Sequence, residues 1–120
     1  MNVLKEIQKG TMRCKYILEN DIENAKKYKV HYREEVDILI AANTKFMDQR
    51  VKELEQWCEA SAIAWNIPQK GIHGVRRKIL MGIANNYIDK ISKDIFACAA
   101  LKEELDTIRS RFDGFIYLTM

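Results

Sequence analysis

Apolar residues recur at helical intervals along almost the whole chain. Leu4, Ile7, Cys14, Leu18, Ile22, Ala25 and Tyr28 follow one another at three- and four-residue steps or their sums, with lysines and glutamates opposite. That spacing predicts an amphipathic helix over about 2–28. Gly10 and Thr11 interrupt the stripe. A helical glycine costs about 1 kcal/mol relative to alanine, so a start or bend is expected near them. The next segment, KYKVHY, turns β-branched and aromatic, and Glu34, Glu35 and Asp37 then suit a helix's first turn. A turn or kink is therefore expected at Tyr28 to Tyr32, with a second helix over about 33–66. One unbroken helix as far as Asn66 would be about 90 Å long or more, too long for a single chain to cover its stripe.

The second stripe is Val36, Ile40, Met47, Val51, Leu54, Cys58, Ala62 and Trp65, widened by Leu39, Phe46 and Trp57. Asn43 falls inside it. An edge position is expected there, since a buried asparagine would serve mainly to fix register. Ile67-Pro68 must end the helix, because proline pushes the preceding residue out of the α region. The connection IPQKGIHG is the strongest loop signal in the chain. A third helix is expected over about 75–111, burying Val75, Ile79, Ile83, Ile91, Ile95, Cys98, Leu101, Leu105, Ile108 and Phe112. Gly82 with Asn85-Asn86 marks a bend or a close helix crossing, and Asp113-Gly114 a stop, leaving 112–120 as a short apolar tail ending in FIYLTM.

Long helices with short connections pack antiparallel. The expected fold is one all-α domain over 1–120, an elongated, coiled-coil-like, up-down-up three-helix bundle roughly 50 Å long. Such helices carry more apolar surface than one small bundle covers. Trp57, Tyr87, Phe112, Phe115 and Tyr117 are the expected contacts of a homodimer or higher oligomer.

Composition narrows the function classes. The apolar share of 48% is too high for a disordered chain. No stretch approaches the roughly 18–20 apolar residues of a membrane span, and MNVLKEIQKG lacks the basic-then-apolar order of a secretory signal. Neither membrane insertion nor export is expected. Cys14, Cys58 and Cys98 are too far apart for a zinc or disulfide framework, so three buried thiols in a reducing cytoplasm are expected. Fifteen isoleucines against eight leucines, and thirteen lysines against seven arginines, suggest an AT-rich source such as a phage or other mobile element.

Candidate chemistry is sparse. A net charge of +3 is too small to imply nucleic acid by itself. Lys70, His73, Arg76, Arg77 and Lys78 do gather at the loop and the expected start of the third helix, where they could contact phosphates. Basic residues there oppose the helix dipole unless an anion compensates. A second group, Lys26, Lys27, Lys29, His31 and Arg33, surrounds the first turn. His31 with Glu34 and Glu35 lacks the paired Glu-x-x-His helices of a di-metal bundle, and no cysteine has a base in its sequence context. No metal, cofactor or catalytic residue is assigned. The reading is a small non-enzymatic cytoplasmic protein — a regulator, inhibitor or assembly factor — that binds another protein through helix faces and the tail. A nucleic-acid-binding protein using the basic loop is the alternative. An all-α enzyme whose carboxylates converge from separate helices comes third.

Overall fold

The computed structural model of the protein describes residues 2–118. All regular structure among them is helical: α1 (Val3–Asn20), α2 (Ile22–Lys27), α3 (Lys29–Trp65) and α4 (Gly71–Leu118). The fold is all-α, as the periodicity requires. The chain forms two compact units. One takes residues up to Phe46 together with those from Ala97 onward, and the other is Met47–Phe96.

In the first unit α1, α3 and α4 run up, down and up. Arg13 of α1 pairs with Glu35 of α3, and Gly10 lies against Leu39. Asn43 and Tyr32 of α3 meet Cys98 and Phe112 of α4 in reverse order, while Lys15 of α1 pairs with Glu104 of α4 at 3.6 Å. Cys14, Leu18, Ala25, Val36, Leu105 and Phe112 form the buried centre. No helix starts at Gly10, which lies inside α1. A Cβ there would sit 2.7 Å from Leu39 Cδ2, so the glycine lets α1 and α3 close together. Thr11 is buried within the stripe, its hydroxyl donating to the Ile7 carbonyl at 2.8 Å.

The turn between α1 and α3 falls earlier than expected, so the single helix over 2–28 is corrected to two. Asp21 leaves the helical region at φ −143° and its side chain accepts from the Asn24 N–H, starting α2. Its own N–H donates to the Ile17 carbonyl at 2.9 Å, closing α1. Tyr28 is a second, shallower break, and α3 begins at Lys29 rather than 33. Glu35 and Asp37 consequently lie inside α3, paired with Arg13, His31 and Arg33.

The third predicted helix, 75–111, is corrected at both ends. Gly71, at φ +59°, turns the loop into α4. A Cβ on Gly74 would meet the Gln69 carbonyl oxygen at 2.3 Å. The Asp113-Gly114 stop is overridden by packing. Phe112 is fully buried and edge-on to Phe115, and Arg33 Nε donates to Asp113 Oδ1 at 2.5 Å. The expected tail is therefore helical to Leu118; Thr119 and Met120 lie outside the described residues.

The second unit is a two-helix hairpin. Arg50 meets Asp94, Trp57 meets Tyr87 and Trp65 meets Arg77, an antiparallel order. Its seam positions step by seven residues, Arg50, Trp57 and Ala64 on α3 and Ala84 and Ile91 on α4, the interval of a coiled coil. In the first unit Val36 and Asn43, and Cys98, Leu105 and Phe112, keep the same interval. α3 ends before Pro68 as expected, with Asn66 and Ile67 donating to the Ile63 and Ala64 carbonyls at 3.2 and 3.1 Å.

Asn43 is not at an edge. It is 3% exposed, and its Nδ2 donates to the Cys98 carbonyl at 2.9 Å while its Oδ1 has no hydrogen-bond partner. Gly82 makes no close helix crossing, since a Cβ there would meet open space.

Candidate functional site

Two helices can bury only the stripe along their mutual seam. The second unit fully buries Ala64, Ala84 and Ile91 among its apolar residues and leaves a second apolar row open. Val75, Ile79 and Ile83, expected in the core, are exposed because the seam is formed by residues on another side of α4, Arg77, Met81, Ala84 and Ile88. Helical spacing puts Ile72, Ile79, Ile83 and Tyr87 on one side of α4, next to Leu80 and facing the same way as Ile63 of α3. These six residues are between 38% and 81% exposed. A groove of about 310 Å³ runs between the helices on this side, lined by Trp57, Ala60, Ile63, Ala64, Leu80 and Ile83, without a charged residue.

The five expected interface residues separate into different environments. Trp57 and Tyr87 stack on each other, with ring centroids 4.3 Å apart and planes 6° from parallel, so part of each is covered within the hairpin. Tyr87 still presents about half its surface. Phe112 is a correction: it is a core residue of the first unit, with no surface to offer a partner. Phe115 is half-buried against that core, while Tyr117 is exposed on the last turn of α4.

The basic loop is also rearranged. Lys70, His73, Arg76 and Lys78 are exposed, but Arg77 is engaged. Its guanidinium lies over the Trp65 ring at 4.6 Å, and Nε donates to the Trp65 carbonyl at 3.3 Å. Arg77 therefore satisfies an open carbonyl at the end of α3. Because α4 starts at Gly71, Arg76 and Lys78 stand in its second turn, where the dipole penalty has largely faded. Of the second basic group, Arg33 is tied to Asp37 and Asp113, and His31 Nε2 lies 3.2 Å from Glu35 Oε1.

Cys58 is exposed, correcting the expectation of three buried thiols; Cys14 and Cys98 are buried. Burial first, then the Glu35 carboxylate, raise the Cys14 thiol above its ordinary range against the opposing charge of Arg13. Arg50, in the seam, holds Asp94 through Nε and Nη2 at 2.9 and 2.6 Å and also bonds Glu53. Both Asp94 bonds fall on Oδ2, and this charge-assisted contact is structural, tying α3 to α4. Among the described residues, no group of three or more His, Cys, Asp or Glu side chains could hold a metal ion, and no helix is long and apolar enough to cross a membrane.

Chemically, the arrangement presents exposed apolar side chains beside a groove whose lining carries no charge. The chain matches no family model, no curated protein and no solved structure. Sequence reading missed Ile63, Ile72 and Leu80 as surface residues. The available signal was width: between Ile72 and Ile91, α4 carries apolar residues on more of its circumference than one neighbouring helix can cover.

Proposed function

We propose that this chain is a non-enzymatic interaction protein whose second unit docks a protein partner through the apolar side of its hairpin. The observation that carries the reading is the open row Ile72, Ile79, Ile83 and Tyr87 beside Ile63 in a unit that has no third helix. Contiguous exposed apolar surface of this size on a small domain marks an association site. An amphipathic helix laid into the groove is the partner geometry that fits. A regulator, inhibitor or assembly factor acts in this way, by occupying a partner's surface. The exposed free thiol of Cys58 fits a reducing compartment such as the cytoplasm.

Ile79→Glu with Ile83→Glu tests the reading, since both side chains are already exposed and the charges do not enter the seam. The tagged protein is passed through extract of its own host and the captured chains are identified. The wild type should retain at least one identified protein, a copy of itself included, that the double variant loses at unchanged helicity. Retention of every captured chain by the variant would remove this face as the docking site.

A further inference from the structure

We infer that the occupant of the apolar hairpin face is a second copy of this chain, so that two hairpins complete a four-helix bundle. The inference rests on the docking reading above and commits it to one partner. Area is the first argument. The exposed fractions of Ile63, Ile72, Ile79, Leu80, Ile83 and Tyr87 amount to roughly 600 Å² of surface. Homodimer interfaces are about 65% apolar, so this patch implies about 900 Å² per copy, against about 800 Å² in an ordinary stable interface.

Shape is the second argument. An isologous dimer needs one patch that fits itself. The groove has Ala60 and Ala64 along its α3 wall, and Ile79 projects beside it, more than half exposed. Rotating one hairpin onto another offers each isoleucine to the other's small-residue row, the knob-and-hole relation of packed helices.

Sedimentation equilibrium of the full chain at micromolar concentration tests the copy. The expected mass is twice 14.1 kDa for the wild type and for Tyr117→Glu, and 14.1 kDa for Ile79→Glu/Ile83→Glu with unchanged circular dichroism. Ile72→Glu, at the most exposed position of the row, should likewise give the monomer and serves if the double variant loses helicity. A wild-type monomer would overturn the second copy while leaving the face to a different protein. A dimer that survives the face substitutions would likewise overturn the second copy on this face, whereas the docking reading falls only if the extract test retains every captured chain.

Discussion

Phe112→Ala separates a core role from an interface role at one residue. Phe112 is fully buried, its ring centroid 5.6 Å from Tyr32 and 6.2 Å from Phe115, in a cluster with Val36, Leu105 and Ile108. Truncation returns about 150 Å² of apolar ring to the account, which at about 25 cal/mol per Å² is about 4 kcal/mol. Two lost ring contacts add about 1 kcal/mol, and residual burial in the denatured chain subtracts a similar amount. The expected cost is therefore about 3–5 kcal/mol, the usual range for a buried phenylalanine. In a chain of this size that lowers Tm by roughly 10–20 °C. Urea unfolding followed by far-ultraviolet circular dichroism, at two protein concentrations, measures it. A loss below about 1 kcal/mol would refute the burial argument. So would a loss confined to the associated state, which is what an interface residue would show.

Four further outcomes follow from the packing. Asn43→Leu should leave stability unchanged or raise it by about 1 kcal/mol, because it removes a buried, unpartnered Oδ1 along with one hydrogen bond, whereas Asn43→Asp should lower it; paired denaturation curves decide. A native-state thiol titration at pH 8 should count one fast cysteine, Cys58, with Cys14 and Cys98 reacting only on unfolding. Since the Cys14 thiol is raised in the folded chain, its contribution is complete below the ordinary thiol range and is lost as pH rises through the folded value, so the wild type should lose more stability than Cys14→Ala above about pH 9. Arg77→Ala should cost about 1–2 kcal/mol through the lost Trp65 contacts, while Arg76→Ala stays within about 0.5 kcal/mol, as thermal melts of the two variants would show.

Much of the fold was legible because helix periodicity and proline chemistry act locally. Ile67-Pro68 ends α3 whatever surrounds it, and the spacing from Ile91 to Phe112 reads directly as a buried stripe. Tertiary contacts decided the rest. Asp113-Gly114 is a stop in isolation, yet Arg33 binds the aspartate and the neighbouring phenylalanines are held in the core, so the helix continues. Asn20-Asp21 carried a capping signal that the apolar stripe running across it concealed. At the candidate site, Val75, Ile79 and Ile83 obey the same periodicity as core residues. Periodicity reports that a face is apolar, and the same pattern results whether the cover comes from the chain itself or from another molecule.

The central claim is that a partner covers the apolar side of the hairpin, and side-chain footprinting by hydroxyl radicals tests it most directly. The full chain is labelled at nanomolar and at micromolar concentration, and oxidation is read residue by residue by mass spectrometry. Ile72, Ile79, Ile83 and Tyr87 should lose reactivity as concentration rises, while Tyr16 and Tyr117, 64% and 71% exposed in the isolated chain, keep theirs. Constant reactivity along the hairpin row together with protection at Tyr16 or Tyr117 would contradict the account.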